Sequence, residues 1–311
     1  MSEPGLRERF SAFWLSPSRG SAVSLFRIAY AATAVWMAIN VLRNVERYYG
    51  DTGLVPWAVV QDQELQRFSL FSLAPHSQLL PWLLGVGFLL AALGLLIGVG
   101  SRWCALGIFV INVSLQHRNP FIYNAGDRLF VILALLAAFL PLGARWSLEA
   151  WRRVRRGLRA PVKPIWFQRL VALQVAYVYL NAYTGKAGQA SWRNGSAVAE
   201  ILSSEALSTT PITGLSLLGP LLTWSTLIFE LCFPVLVWSR SLRPYLLVAG
   251  ILFHIGIQLT MAIPGFGLVM VASYACFLSD DEAERLVAAL FSPRRQLTRA
   301  RTWLAGLARP G

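Results

Sequence analysis

The chain alternates between long apolar runs and short polar segments. A helix needs about 20 mostly apolar residues to cross the hydrocarbon core of a bilayer. Runs that meet or approach this length occupy Ser21–Asn40, Leu79–Gly100, Trp103–Gln116, Leu129–Leu142, Leu170–Lys186, Leu217–Trp238, Tyr245–Ile263 and Gly265–Leu278. The pattern predicts an all-α integral membrane protein with about eight transmembrane helices, those from Trp103 and Leu129 being the shortest. Two connections, Val41 to Ser77 and Ala187 to Ser216, are longer than a turn requires. They hold apolar residues such as Leu54, Val55, Trp57, Ile201 and Leu202, which predicts partly helical re-entrant or interfacial pieces.

Composition agrees. Of 311 residues 56% are hydrophobic and 14% charged, against about 25% charged in a soluble domain. Twelve Trp, 17 Phe and 9 Tyr exclude a disordered chain. The net charge of +13 would suggest nucleic acid for a soluble protein, but here the bases sit between apolar runs and no nucleic-acid partner is expected. With a cytoplasmic N-terminus and eight crossings, 19 Lys and Arg fall inside and six outside (Arg43, Arg47, Arg67, Arg118, Arg128 and Arg193). That bias orients the protein with both termini cytoplasmic. The expected organisation is a cytoplasmic amphipathic segment over 1–20, a transmembrane domain over 21–279 and a basic cytoplasmic tail over 280–311. The three cysteines, Cys104, Cys232 and Cys276, support neither a disulfide framework nor a metal site.

Polar residues inside apolar spans are costly and are therefore candidate site residues. Lys186 is one of only two lysines among 28 basic residues. A desolvated lysine can become a neutral amine and act as a base, which arginine cannot; the plain alternative is an amine that reaches the headgroups. Tyr183 and Tyr179 precede it by three and seven residues and share its helix face. Gln174, Tyr177 and Asn181 form a second polar stripe. His254 lies mid-span with Gln258 one turn on, suited to proton exchange or to a hydrogen bond between helices. Glu230 is also mid-span and needs a partner or a proton; Arg27 or another buried base is a candidate. His117-Arg118-Asn119-Pro120, Asn124 and Gly126-Asp127-Arg128 form a polar turn in which capping and an Arg–Asp pair are expected, and Tyr48-Tyr49-Gly50-Asp51 is a similar turn. Gly94 and Gly98 form a GxxxG close-packing motif. The tryptophans at 57, 82, 103, 146, 166, 192, 224 and 238 are expected mostly as interfacial anchors.

Several segments together resemble the bacterial HTTM (horizontally transferred transmembrane) domain, related to the membrane part of vitamin K-dependent gamma-glutamyl carboxylase. They are SLFRIAY, RYYGDTGLVP, SLQHRNPFIYNAGD, LPLGARWSLEAW, VYLNAYTGKAGQASWRNGSA, FELCFP and ILFHIGIQLTMAIPGFGLVM. They follow the family's order and cover most of Ser21 to Leu278.

The resemblance implies a multi-pass protein of the bacterial cytoplasmic (inner) membrane with an outward-facing site. Lys186, ahead of Trp192 and Gly195, corresponds to the lysine implicated in deprotonating vitamin K hydroquinone; His254 and Glu230 are its implied catalytic companions. Tyr183, Tyr179, Asn181 and Gln258 are the expected cofactor-contacting residues. The implied cofactor is reduced vitamin K or a menaquinone-type hydroquinone, with oxygen and carbon dioxide as co-substrates, and the implied activity is hydroquinone epoxidation coupled to proton abstraction and carboxylation of a peptide glutamate. Expected partners are membrane lipids and a secreted peptide. Two departures bear on this: the carboxylases' histidine near the polar turn is replaced, in this chain by Asn124, and no large extracytoplasmic domain follows the eighth run. Some short relatives resemble instead a membrane factor that matures a secreted sporulation-delaying peptide toxin, so a non-carboxylating maturation or export factor is the alternative, with a small-molecule transporter third.

Overall fold

The computed structural model describes residues 5–62, 68–215 and 217–291. Arg67, Ser216 and the basic tail from residue 292, including Arg294, Arg295, Arg299, Arg301 and Arg309, lie outside the described residues. The principal helices are α1 (Leu6–Leu15), α2 (Ser21–Arg43), α3 (Leu79–Ile97), α4 (Ser101–Arg118), α5 (Ala125–Ala137), α6 (Trp166–Ala187), α7 (Leu218–Leu236), α8 (Arg243–Thr260), α9 (Phe266–Ser273) and α10 (Asp280–Phe291). A two-residue antiparallel pairing, Pro17–Ser18 with Lys163–Pro164, is a small addition to the expected all-α architecture.

Among the described residues, four helices are long and apolar enough to cross a membrane: α2, α3, α7 and α8. Each of the other four apolar runs also folds as a helix. The run from Trp103 lies within the 18-residue α4, and the run from Leu129 overlaps the 13-residue α5. The run from Leu170 lies in the 22-residue α6, and the last forms α9 continued by a 3₁₀ turn over Tyr274–Phe277. Both long connections are partly helical, with short helices at Val45–Tyr49 and Trp57–Asp62 in the first and Ala190–Asn194 and Ala197–Ser203 in the second.

The core is built around α2, whose Phe26, Tyr30, Ala31, Ala34 and Ala38 are buried. Tyr30 stacks on Phe130 of α5 with ring centroids 4.7 Å apart, and its hydroxyl donates to the Phe130 carbonyl at 2.8 Å. The free N–H groups that begin α2 are capped from the far end of the sequence. The Asp280 carboxylate accepts from the backbone N–H groups of Ser21 at 2.7 Å and Ala22 at 3.1 Å, satisfying donors that a helix start leaves open.

Arg27 solves the complementary problem at the end of α3. Its buried guanidinium donates to the carbonyls of Leu95 at 2.7 Å, Leu96 at 2.6 Å and Trp146 at 2.6 Å, where helix carbonyls lack internal partners. Gly98, left-handed at φ 76°, terminates α3 there, since a Cβ on it would lie 3.1 Å from the Arg27 guanidinium and 2.3 Å from Ser147. The GxxxG pair thus includes a helix stop, while Gly94 gives close approach to Cys104.

Candidate functional site

Four elements meet where the second half of α6 packs on α7, α8 and α9. Lys186 is in the last turn of α6, and Tyr179 is two turns earlier on the same face. Glu230 projects from the middle of α7 and His254 from the middle of α8. Lys186 Nζ donates to Glu230 Oε1, and the two form an ion pair in which the glutamate side chain is 4% exposed and the lysine 28%. The ammonium also lies 4.8 Å from the ring centroid of Trp192, a buried residue of the short helix that follows. Such a cation over an indole face gains further electrostatic attraction.

Deeper in the bundle, the Tyr179 hydroxyl meets His254 Nε2 at 2.7 Å and the Tyr274 hydroxyl. All three side chains are buried. Phe229, adjacent to Glu230, joins this cluster to the ion pair, with its ring 5.5 Å from Tyr179 and 5.5 Å from Phe253. Phe233, one turn on from Phe229, also packs on Tyr179 at 4.3 Å. Gly250 of α8 makes the arrangement possible, because a Cβ there would lie 2.3 Å from the Tyr274 hydroxyl.

Two polar atoms here are buried without a hydrogen-bond partner: Glu230 Oε2 and His254 Nδ1. Buried polar atoms are generally satisfied, so an exception marks a place where a further group can bind or a proton can move. The surrounding side chains are aromatic, and Lys186 is more exposed than the glutamate it pairs with.

The expected residues divide. Lys186, Glu230, Tyr179 and His254 come together. Tyr183 is half-buried, Asn181 is exposed with its carbonyl taking the Thr184 hydroxyl at 3.0 Å, and Tyr177 is 59% exposed. Gln258 Oε1 accepts the Gly265 N–H at 3.2 Å and shapes the turn into α9. Arg27 is not the partner of Glu230; it is held at the end of α3. Tyr274 completes the site although it is not among the residues expected there; its hydroxyl inside an otherwise apolar run is the signal that marks it.

The polar turn is structural. Arg118 donates to the carbonyls of Val55 at 2.8 Å and Gly50 at 2.8 Å, with its guanidinium 5.7 Å from the Trp57 ring centroid and 6.0 Å from that of Phe71. Asn119 Nδ2 donates to the Tyr48 carbonyl at 2.9 Å, and His117 Nδ1 contacts the Phe68 carbonyl at 2.5 Å. Asn124 Oδ1 accepts the Gly126 N–H, while Asp127 accepts the Asn124 N–H, a reciprocal cap on α5. The expected Arg–Asp pair does not form. Trp57 and Trp192 are buried beneath cations, which corrects their reading as interfacial anchors; Trp103 and Trp224 are exposed as expected. Among the described residues, no three His, Cys, Asp or Glu side chains are grouped to hold a metal.

Comparison with known proteins agrees with this organisation. The HTTM domain family model matches residues 16–281. The chain is also 32% identical over 197 residues to the sporulation-delaying protein SdpB of Bacillus subtilis (strain 168), a match covering 58% of this chain and 59% of that protein. The chain thus spans about three fifths of the length of the curated relative it matches. No solved structure matches. With a family match running from the start of α2 to the start of α10, the chain belongs to the HTTM domain family.

Proposed function

We propose that this protein is a maturation factor of the bacterial cytoplasmic membrane that crosses it eight times with both termini inside. It acts on a secreted peptide at an outward-facing site built from Lys186, Glu230, Tyr179 and His254. The observation that carries the reading is the Lys186–Glu230 pair beside a buried tyrosine–histidine cluster. Burial of Glu230, 4% exposed, takes its charge largely out of water. The reaction uses the neutral amine that results when the proton passes from Nζ to Oε1, which can take a proton from a bound substrate. Trp192 lies against the amine, and Glu230 holds it in place. The likeness to the sporulation-delaying protein SdpB, read with the resemblance to a factor that matures a secreted toxin, supports a role toward a secreted peptide.

Comparative mass spectrometry of peptides secreted by cells carrying the wild type or Lys186→Ala tests this. The expected result is at least one secreted peptide whose mass or abundance depends on Lys186. Identical secreted peptides from the two strains, at equal protein levels, would overturn the reading.

The unpartnered Glu230 Oε2 and His254 Nδ1 favour a second reading in which the site takes a hydroquinone of the vitamin K or menaquinone type, with oxygen and carbon dioxide as co-substrates. The residues fit: two buried acceptor-capable atoms suit hydroxyl groups, and Phe229, Phe233 and Trp192 suit a ring. When bound and oxidised by oxygen, such a group supplies a stronger base than any side chain. Lys186 would take the hydroxyl proton and Glu230 would hold Lys186 in place. Purified protein given reduced menaquinone, oxygen and bicarbonate should then form quinone epoxide, and Lys186→Ala should not; no epoxide from folded wild type removes this reading and leaves the first.

A further inference from the structure

At the opposite end of α6 from Lys186, four arginines converge on one cleft. Arg169 and Lys186 are 17 residues apart on the helix, about 25 Å at 1.5 Å per residue, so this is a separate place in the molecule. Arg9 of α1, Arg169 of α6, Arg240 between α7 and α8, and Arg243 of α8 line a cleft of about 400 Å³. Its apolar wall includes Phe13, Trp238 and Phe277. Phe13 packs edge-on against Trp238 at 5.5 Å between centroids, and Trp238 lies 5.6 Å from Phe277. Arg169 spreads over that wall, 4.6 Å from the Phe13 centroid and 5.8 Å from that of Trp238.

Two of these cations, Arg169 and Arg240, lack an acidic partner among the described residues. Arg243 Nη1 is 3.0 Å from Glu282 and also donates to the Phe277 carbonyl at 3.0 Å. The buried Nε of Arg169 has no hydrogen-bond partner either. Bringing like charges together costs energy that an anion in the cleft would offset. The planar, multi-donor guanidinium is matched to phosphate oxygens.

Position indicates where the phosphate comes from. The cleft sits where α7 ends and α8 begins, both helices of membrane-crossing length and hydropathy. Val235, Leu242 and Tyr245, beside Arg240 and Arg243, are exposed apolar side chains, as are Leu6, Phe10 and Leu15 of α1. A hydrocarbon surface bordering a cluster of guanidiniums matches an acyl chain joined to a phosphate. We propose that this cleft binds the phosphate headgroup of an anionic phospholipid and so seats α1 against α6, α7 and α8. The inference rests on membrane insertion and is independent of the reaction proposed at Lys186.

Native mass spectrometry of the full chain in detergent, titrated with dioleoylphosphatidylglycerol, dioleoylphosphatidylcholine or inorganic phosphate, tests the site without an activity assay. Phosphatidylglycerol should bind in preference to phosphatidylcholine. Arg240→Gln and Arg169→Gln should each weaken it about tenfold, the worth of a charge-assisted hydrogen bond. Arg240 is exposed, so its substitution leaves the fold in place even if that at Arg169 does not. Arg153→Gln, in a separate cleft lined by Arg145 and Trp146, should change nothing. Inorganic phosphate that competes and is itself lost in Arg240→Gln would keep the anion site and identify free phosphate as its occupant. The proposal is overturned if Arg240→Gln binds phosphatidylglycerol like the wild type. It is also overturned if Arg153→Gln weakens binding equally, or if neither phosphate probe binds.

Discussion

Arg118 and Lys186 are both cations at the ends of apolar helices, and both lie over a buried tryptophan. Their surroundings differ in one respect. Arg118 gives its protons to two backbone carbonyls, groups that cannot titrate and whose position is set by the fold. Lys186 gives its proton to a carboxylate that titrates, whose second oxygen is buried and unpartnered. Trp57 Nε1 beneath Arg118 is also buried without a partner, so the network around Arg118 is closed only in that the acceptors it holds cannot titrate, whereas the carboxylate facing Lys186 can. Burial and charge are common to both, so neither distinguishes a site from a structural clamp; what does is whether the partners can change protonation state.

The largest effect that would break the comparison is on activity. Lys186→Ala should lower production of the Lys186-dependent secreted peptide at least about 100-fold, the scale of a lost general base. Lys186→Arg keeps a cation against Glu230 but cannot supply a neutral amine, so it should retain the stability of the wild type and lose the activity. A fully active Lys186→Arg protein would show that Lys186, like Arg118, is only a clamp.

Arg118→Met should do the reverse. It leaves the carbonyls of Val55 and Gly50 without their donor and should lower stability by about 3 kcal/mol, read as a shift of the denaturation midpoint in detergent. The protein that remains folded should retain its activity. Loss of activity at full stability would move Arg118 into the site.

A smaller effect tests whether the Tyr179, His254 and Tyr274 cluster needs its present geometry. Gly250→Ala puts a methyl group against the Tyr274 hydroxyl and ring. It should cost about 2 kcal/mol, as overpacking of a tight core does, and Tyr274→Phe in the same chain should relieve part of that cost. An unchanged stability in Gly250→Ala would mean that Tyr274 moves aside freely and does not fix Tyr179.

How much of this was legible in the sequence follows from the same contrast. The apolar runs announced the helices because apolarity is a local property, and Lys186, Glu230 and His254 stood out because an ionisable group in such a run is costly. The pairing was not legible: Glu230 is 44 positions from Lys186, and only the packing of α6 on α7 decides that it meets Lys186 and not Arg27. Tyr274 does not stand out, because a tyrosine among apolar residues reads as another core aromatic until its hydroxyl is placed. Trp57 and Trp192 differ from expectation because residues flanking a span can lie in the interface or fold back beneath a cation, and sequence position is the same for both. Tyr183 and Asn181 shared the helix with Lys186, but periodicity gives a face without saying which neighbour covers it.

The smallest effect concerns a carboxylate–histidine contact that belongs to neither region. Asp51 lies in the connection between α2 and α3, where its carboxylate contacts His76 Nδ1 at 2.8 Å and accepts the Trp57 N–H at 3.0 Å. The hydrogen bond from His76, followed by that from Trp57, holds its pKa below the ordinary carboxylate value. A carboxylate depressed in the folded state stabilises it above the unfolded pKa of about 3.9, and that contribution is lost as pH falls through the lower folded value. Asp51→Asn should therefore fall slightly behind the wild type above about pH 5 and converge on it only as pH drops well below the ordinary carboxylate value of about 3.9, where the folded wild-type carboxylate gains its proton. The difference should shrink in high salt, as exposed pairs do. Because Trp57 also lies under Arg118, the measurement has a second use. If Asp51→Asn melts well below the wild type at neutral pH, the Asp51–Trp57 bond is part of the Arg118 clamp, and the closed network extends to the surface.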